Sequence, residues 1–245
     1  MRKPDAVFTD PRQAVLYDVF EHDRPDLDMY VAITQELSAR TVIDIGCGTG
    51  SLSVRLAALG LHVVGVDPAV ASLAVARGKP YAERVEWVVG DASALESRGV
   101  VADLAVMTGD VAQVFVADDD WHLTLRAVSA GVRAGGWFVF ETRRPEVRDW
   151  ESWTIPPTTV TIPGAMSAVT SMTVTEVSLP FVTFESETVV DGEVLRSAST
   201  LRFRERGEIE QDLLAHGFDV MDVRDAPDRP GKELVFVSRR SGSCV

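Results

Sequence analysis

The fold is decided by the stretch from Thr41 to Gly50, which reads TVIDIGCGTG. Its β-branched, apolar start is typical of a buried strand, and the alternating glycines that follow predict a tight turn. Apolar residues then recur at helical spacing, at Leu52, Leu56 and Leu59. We therefore predict a strand, a glycine loop and a helix. Such a loop suits a nucleotide cofactor, because glycine lets the backbone approach a ligand and a helix start attracts its polar groups.

The alternation of strand and helix continues along the chain. Further apolar runs end at Asp67, at Asp91 and at Asp110, and a run over 136–141 follows a predicted turn at 134–135 and ends at Glu141. Helical segments are predicted over 69–77 and 118–133. Strands that alternate with helices form a parallel sheet with right-handed crossovers. We predict an α/β fold, a Rossmann-like, doubly wound and mostly parallel sheet.

The second half of the chain has a different pattern. Residues 158–204 are rich in Val, Thr and Phe with frequent alternation, which is typical of antiparallel strands. Asp191-Gly192 lies between two such runs and predicts a type I′ hairpin. A helix over 207–216 and two runs, 218–223 and 234–238, predict a closing helix and hairpin. The whole prediction is a seven-stranded sheet with an antiparallel β insertion after the fifth strand.

Composition and charge limit the class of protein. The chain has 245 residues, of which 46% are hydrophobic and 25% charged, as expected of one globular domain. No apolar run is long enough to span a bilayer and none follows the basic N-terminus, so we expect a cytoplasmic protein without a membrane partner. The net charge of -13 argues against nucleic acid as a partner. The two cysteines, Cys47 and Cys244, suggest neither a disulfide nor a metal site.

Acidic residues lie at the end of each predicted parallel strand, where ligands bind in doubly wound folds. Singly, such residues are common in turns and at helix starts, but the series predicts a cofactor site. A carboxylate at the second strand end, Asp67, can accept both hydroxyls of a ribose. At the third, Asp91 can accept the amino group of adenine. We therefore predict an adenosine group across the first three strands.

Two cofactor classes fit an adenosine group. The NAD pattern GxGxxG requires a third glycine where this chain has Ser51, while the actual third glycine comes one residue earlier. The loop instead resembles motif I of the class I S-adenosylmethionine-dependent methyltransferases, with Asp44, Gly46, Gly48 and Gly50 at its acidic and glycine positions. The resemblance extends to the strand end at 64–68, the turn at 90–92 and the turn at 133–137. It covers roughly residues 10–142 and the last helix and two strands.

The resemblance implies S-adenosylmethionine as the cofactor, S-adenosylhomocysteine as its product and a small molecule as the methyl acceptor. By this resemblance, Asp44 would hold the methionine ammonium above a floor formed by the glycines. The implied cofactor-binding residues are Asp44, Gly46, Gly48, Gly50, Asp67, Pro68, Asp91, Ala92, Thr108 and Gly109. Thr108 and Gly109 would border the sulfonium. In the helices before the first strand, Tyr17 is either a lid contact or a core-packing tyrosine.

The acceptor side is less constrained. The insertion resembles that of small-molecule enzymes such as the sugar N-methyltransferases, where it is a substrate cover or a dimer surface. Direct displacement at a sulfonium depends mostly on alignment and desolvation, so it needs no dedicated base. The candidate catalytic groups are Asp110, Gln113 as an orienting group, His122 and Glu141, and the predicted pocket residues are Glu141, Arg143, Trp150 and Trp153. Both tryptophans could equally anchor the insertion on the core.

The chain thus divides into four predicted segments within one domain: lid helices at 1–40, a cofactor-binding core at 41–142, the insertion at 150–204 and the closing helix and hairpin at 205–240. A homodimer through the insertion is a further prediction. Two alternatives to a methyltransferase stay open. One is a cofactor-binding sensor without transferase activity, because fold does not establish chemistry. The other is an NAD-dependent oxidoreductase.

Overall fold

The computed structural model describes residues 4–20, 24–162 and 166–242. The helices are α1 (Ala6–Thr9), α2 (Pro11–Phe20), α3 (Asp26–Glu36), α4 (Ser51–Ala58), α5 (Val70–Arg77), α6 (Asp118–Gly131) and α7 (Arg206–Ala215). The strands are β1 (Thr41–Ile45), β2 (His62–Asp67), β3 (Val85–Val89), β4 (Ala102–Met107), β5 (Val132–Arg143), β6 (Ile155–Ile162), β7 (Met166–Ser178), β8 (Phe181–Val190), β9 (Glu193–Arg202), β10 (Phe218–Arg224) and β11 (Glu233–Arg240).

The main sheet has seven strands in the order β10-β11-β5-β4-β1-β2-β3. The strands β1 to β5 are parallel, and β11 runs antiparallel to β5 and to β10. In the middle, Ile43 of β1 lies between Val64 of β2 and Ala105 of β4. The chain therefore turns outward in both directions from β1, which makes the sheet doubly wound. The predicted α/β fold is confirmed.

Alternate residues of the central strands feed two separate cores, one on each face of the sheet. Ile43 and Phe138 face a cluster with Trp121 and Leu125 of α6. Their chain neighbours Val42 and Val139 belong to a second cluster, which contains Leu27, Tyr30 and Ile33 of α3 and Leu52 and Leu56 of α4. This two-sided burial explains why the strands are apolar almost throughout. Because the strand interiors are apolar, the polar groups of these strands lie at their ends, in the region above the sheet.

A separate four-stranded antiparallel sheet, in the order β6-β7-β8-β9, follows β5. The turn between β8 and β9 has positive φ at both Asp191 (51°) and Gly192 (78°), as a type I′ hairpin requires. Leu16 and Phe20 of α2 pack against this sheet. The insertion is thus tied to the helices that precede β1.

Two boundaries at the junction of α6 and β5 differ from those predicted, and one further element was not predicted. The helix expected to continue to Arg133 ends at Gly131, and β5 begins at Val132 instead of Gly136. Pairing to β4 jumps from Val132 to Trp137, so the predicted turn lies within a bulge of the strand, with Gly135 at φ 72°. The segment after β3, for which no helix was predicted, contains a 3₁₀ turn at Ala92–Arg98. The local sequence pattern could not predict these shifts in strand pairing, because they depend on contacts with β4 and β11.

Among the helices of the described residues, none combines the length and apolar character needed to cross a bilayer.

Candidate active site

A cavity of about 270 Å³ lies beyond the carboxyl ends of β1 to β4. Its walls come from the glycine loop, from the turns after β2, β3 and β4, and from α1 and α2. The lining includes these residues of the predicted cofactor site: Tyr17, Asp44, Gly46, Gly48, Asp67, Pro68, Asp91, Ala92, Thr108 and Gly109. The topology therefore brings residues from distant parts of the sequence to one site, as expected at the switch point of such a sheet.

The glycine loop is shaped by contacts that exclude side chains. The backbone N–H groups of Gly46 and Cys47 donate to the carbonyl of Val66, at 2.8 and 3.1 Å, which ties the loop to β2. A Cβ on Gly46 would lie 2.6 Å from a methyl carbon of Val111. A Cβ on Gly48, in contrast, would meet no protein atom within 4 Å. Gly48 thus presents bare backbone to the cavity.

Gly50 differs from its predicted role in the cavity floor, because it does not appear in the lining of the described cavity. It precedes α4 in the left-handed conformation, with φ 77°. A Cβ there would lie 2.5 Å from the indole ring of Trp87. Gly50 is therefore required for packing and for the start of the helix.

Asp67 combines a loop-holding role with exposure to the cavity. Its Oδ2 accepts from the N–H of Gly48 at 2.8 Å, and its Oδ1 accepts from the N–H of Ala69 at 2.7 Å. Burial raises the pKa of this carboxyl, and the two backbone hydrogen bonds oppose the rise. A carboxylate has about four acceptor positions, so Asp67 can still accept from hydroxyls in the cavity.

Asp44 is 1% exposed and accepts a hydrogen bond from the hydroxyl of Ser53 at 2.6 Å. Burial raises its pKa to about 6. A cationic group beside it would favour the ionised form.

Arg24 also lines the cavity and attracts Asp44, which partly offsets that rise. Its Nη2 lies 4.0 Å from the place that a Cβ would take on Gly109, and it forms an ion pair with Asp26 at 2.7 Å. No motif in the sequence indicated Arg24 as a functional residue. Arg24 precedes α3, within the segment predicted to form the lid. The sequence of that segment does not indicate which of its side chains face the cavity.

At the third strand end, Asp91 caps the 3₁₀ turn, because its Oδ1 accepts from the N–H of Ser93 at 3.0 Å. This contact fixes the backbone of Ala92 against the cavity. The arrangement gives a carboxylate and a small apolar residue at the place predicted for adenine.

A polar cluster joins α2 to the glycine loop. Asp18 accepts from the hydroxyl of Thr49 at 2.6 Å and forms an ion pair with Lys79 at 2.8 Å. The Lys79 ammonium also donates to Ser51 at 2.9 Å. We call Asp18, Thr49, Ser51 and Lys79 the clasp. No motif in the sequence indicated it, since its members lie in four segments: α2, the glycine loop, the start of α4 and the turn after α5.

The lid helices contribute two aromatic side chains to the cavity, Phe8 and Tyr17, whose ring centroids lie 5.9 Å apart. The carbonyl of Phe8 accepts from the hydroxyl of Ser72 at 3.0 Å, and the N–H of Val7 donates to Ser197 at 3.0 Å. The lid therefore lies between the cavity and the insertion. Within the described chain, the residues of β6 to β9 do not appear in the cavity lining.

Glu141 differs most from its expected place. It was predicted to meet substrate, but it is 4% exposed and is not among the described lining residues. Its Oε1 accepts from the N–H of Gly109 at 2.6 Å, and its Oε2 accepts from the hydroxyl of Tyr30. Glu141 thus lies behind the backbone that lines the cavity.

The other predicted pocket residues form a structural cluster outside the described lining of the cavity. Arg143 pairs with Asp110 at 2.8 Å and stacks over the ring of Trp153, with its guanidinium carbon 4.6 Å from the centroid. Trp150 and Trp153 pack with Phe203 and are 2% and 8% exposed. Burial of both indoles favours their interpretation as anchors of the insertion, since neither forms a wall of this cavity.

The remaining catalytic candidates are also engaged elsewhere. Gln113 is fully buried and accepts from the N–H of Arg143 at 3.2 Å. His122 stacks on His216 with ring centroids 5.2 Å apart. Neither residue belongs to the described lining of the cavity, and the same holds for Asp110. Strand-end position was a poor guide here, because after Gly109 the apolar side chains of Val111, Val114 and Phe115 line the cavity and those of Asp110 and Gln113 do not.

Cys47 is a free thiol in the cavity wall, and burial raises its pKa well above the usual value. It is therefore not suited to act as a nucleophile near neutral pH. Cys244 lies outside the described residues. Over those that are described, His, Cys, Asp and Glu side chains form no group that could hold a metal ion.

Comparisons with known proteins agree with this geometry. Residues 42–136 match the model of a family described as a methyltransferase domain. The chain is 32% identical over 120 residues to a ubiquinone biosynthesis O-methyltransferase from Bordetella avium (strain 197N), covering 47% of this chain and 48% of that protein. It spans about half the length of the curated relatives it matches first.

Solved structures match over nearly the whole chain. An S-adenosylmethionine-dependent methyltransferase from Clostridium acetobutylicum ATCC 824 gives a TM-score of 0.77 at 18% identity, covering 94% of this chain and 98% of that one. The sugar N-methyltransferase KedS8 from Streptoalloteichus sp ATCC 53650 gives 0.73 at 18% identity, with 92% of each chain covered. Residues 42–136 therefore match a methyltransferase domain, and the chain shares the fold of these solved methyltransferase structures.

Proposed function

We propose that this protein transfers the methyl group of S-adenosylmethionine to a small-molecule acceptor by direct displacement. The proposal rests on the cavity, in which Asp44, Asp67 and Asp91 lie at the carboxyl ends of neighbouring strands around the bare backbone of Gly48. These groups fit the cofactor. The buried Asp44 needs a cation, Asp67 has acceptor positions left for hydroxyls, and Gly48 leaves space where a side chain would intrude.

The cofactor-binding roles are assigned by this chemistry. Asp44 binds the ammonium and Arg24 the carboxylate of the methionine end, since the two side chains carry opposite charges in one part of the wall. Asp67 binds the ribose, and Asp91 and Ala92 bind the adenine. Pro68, Tyr17, Gly46 and Gly48 complete the walls, and Thr108 and Gly109 border the sulfonium.

When bound, the cofactor supplies an activated methyl group on a positively charged sulfur. The chain's contribution is to hold the acceptor in line and to exclude water, which are the main terms for such a displacement. Phe8, Tyr17 and three apolar residues after β4, namely Val111, Val114 and Phe115, supply a dry wall. Asp5 and Asp120 also line the cavity and are better placed to meet an acceptor proton than the four candidates named from the sequence.

The segments have corresponding proposed roles within one domain. Residues up to 40 form the lid, 41–142 bind the cofactor, 205–240 close the sheet, and 150–204 hold the lid in place. We place the protein in the cytoplasm, where the free thiol of Cys47 stays reduced.

A homodimer through the insertion is supported by exposed apolar side chains on its strands, including Val169, Val177 and Val194. Light scattering coupled to gel filtration tests it. Val177→Lys should convert a dimer to a monomer, whereas Val101→Lys, at another exposed valine that lies outside the insertion, should not. A monomer in the unmodified protein would rule the dimer out.

Turnover is tested by incubating the protein with S-adenosylmethionine and panels of amines, hydroxyl compounds and thiols, and following methylated products and S-adenosylhomocysteine by mass spectrometry. The proposal predicts product in at least one panel and its loss in Asp67→Ala. Cofactor binding without product in any panel would favour a sensor.

A further inference from the structure

The carboxylate of Glu141 is buried directly behind the wall of the proposed methyl-donor site. Gly109 lines the cavity with its backbone, and its N–H group points away from the cavity toward Oε1 of Glu141, at 2.6 Å. Tyr30, from the opposite side, donates its hydroxyl to Oε2. The backbone of Gly109 therefore separates Glu141 from the cavity.

The carboxylate of Glu141 has partners of a different kind from those of the neighbouring carboxylates. Asp110 pairs with Arg143 at 2.8 Å, and Glu233 pairs with Arg229 at 2.6 Å. The donors that contact Glu141, a backbone amide and a phenol, are neutral, and among the described residues no cation forms a direct ion pair with it. The titratable and charged groups that act on this carboxylate are Tyr30 on α3, Asp110 after β4, Arg229 before β11 and Glu233 at its start. Behind them, Asp26 acts on Tyr30, and Arg143 of β5 pairs with Asp110 and Glu233.

A buried charge without a direct ion pair acts over several ångströms, because the protein interior screens it weakly. S-adenosylmethionine carries a positive sulfonium, and S-adenosylhomocysteine carries a neutral thioether at the same place. Both molecules carry the same ammonium and carboxylate. A negative charge behind Thr108 and Gly109 therefore distinguishes between them at the sulfur only.

Resting on the function proposed above, we propose that ionised Glu141 stabilises the sulfonium across the backbone of Gly109 and makes the site prefer the charged methyl donor to the neutral product. Glu141 is a positioning residue, since it acts through the peptide group of Gly109. The preference helps the product leave after transfer, because the attraction disappears with the positive charge on sulfur.

This arrangement couples donor binding to a proton. Burial, together with Glu233 and Asp110, raises the pKa of Glu141 to about 7. Binding of a cation beside an ionised carboxylate lowers that pKa, so the preference for the donor grows as pH rises through this range. Asp44 also titrates near here, with a pKa of about 6, but it faces the ammonium that both molecules share. Its effect therefore cancels in the ratio of the two dissociation constants.

The test is calorimetric titration of the protein with S-adenosylmethionine and, separately, with S-adenosylhomocysteine, from about pH 5.5 to about pH 8.5. The dissociation constant of the product divided by that of the donor should rise roughly tenfold over this range, as a one-unit shift in the pKa of Glu141 implies. In Glu141→Gln the ratio should stay at its low-pH value. In the control Asp44→Asn both ligands should bind more weakly, while the ratio keeps its rise.

A second variant keeps the test decisive where Glu141→Gln does not fold. Tyr30→Phe removes a hydrogen bond that lowers the pKa of Glu141, so the midpoint of the rise should move to higher pH. A ratio that is independent of pH in the unmodified protein, or that rises equally in Glu141→Gln, would overturn the proposal. Failure of both molecules to bind at any pH would instead refute the methyltransferase function.

Discussion

At the scale of single residues, comparing Gly48 with Gly60 distinguishes the effect of a substitution on folding from its effect on ligand binding. Gly48 and Gly60 both have positive φ, at 53° and 86°, and at both positions a Cβ would meet no protein atom within 4 Å. They differ in place, because Gly48 lines the cavity and Gly60 follows α4. The pair is therefore a natural control for backbone strain.

We expect Gly48→Ala and Gly60→Ala to lose similar stability, roughly 1 kcal/mol each, since alanine is strained in the left-handed region. Only Gly48→Ala should weaken binding of S-adenosylmethionine, because its methyl group enters the cavity. Chemical denaturation and calorimetric titration measure the two effects. Equal binding by both variants would show that the cofactor does not lie on Gly48.

Glu141 and Asp44 make stability depend on pH. Both carboxyls have pKa values raised by burial, to about 7 and about 6, from 4.5 and 3.8. The folded protein keeps protons that the unfolded chain has already lost, so the free energy of unfolding should fall as pH rises from about 4.5 to about 7. Glu141 contributes up to about 3 kcal/mol of this fall.

Urea unfolding of the unmodified protein and of Glu141→Gln across that range tests the sign. The fall should be smaller in the variant, which cannot ionise, and unchanged in Glu83→Gln, whose side chain is 71% exposed. A steeper fall in Glu141→Gln would contradict the assignment of the raised pKa.

At the scale of elements, the clasp decides how α2 is held over the cavity. Asp18 and Lys79 have side chains 29% and 20% exposed, so water screens their ion pair only in part. In Asp18→Ala, we expect faster backbone hydrogen exchange in residues 11–20 and binding of S-adenosylmethionine weaker by roughly 1 kcal/mol, because Thr49 and Lys79 lose an acceptor next to the cavity.

The matched control is Asp28→Ala, which breaks an ion pair with Arg55 of 3.0 Å where the aspartate is 77% exposed. It should leave exchange over residues 11–20 unchanged. If Asp18→Ala behaves like this control, α2 is held by its apolar contacts with the insertion alone.

Elements were predictable where local pattern and tertiary structure agree. The strand before the glycine loop and the hairpin at Asp191-Gly192 follow from short-range chemistry, namely apolar runs and positive φ. The start of β5 was wrong because a bulge against β4 places Gly135 inside the strand. The lid's position was not predictable, since α2 is held by Leu16 and Phe20 against strands more than a hundred residues later.

At the scale of the whole molecule, the cofactor side of the site was far more predictable than the acceptor side. Asp44, Asp67 and Asp91 end parallel strands, so topology alone brings them together. Glu141 and Trp153 also lie near the carboxyl end of a strand or beyond it, yet packing of Tyr30 and of the insertion buries both away from the cavity. Where a side chain points depends on contacts that no local pattern contains.

The cavity at the strand ends is proposed to bind S-adenosylmethionine. Calorimetric titration of the protein with S-adenosylmethionine and with NAD measures this binding directly. We predict saturable binding of S-adenosylmethionine, no binding of NAD, and in Asp67→Ala a dissociation constant raised at least about tenfold in a protein that stays folded by circular dichroism. Binding of NAD alone, or an unchanged constant in Asp67→Ala, would contradict the account.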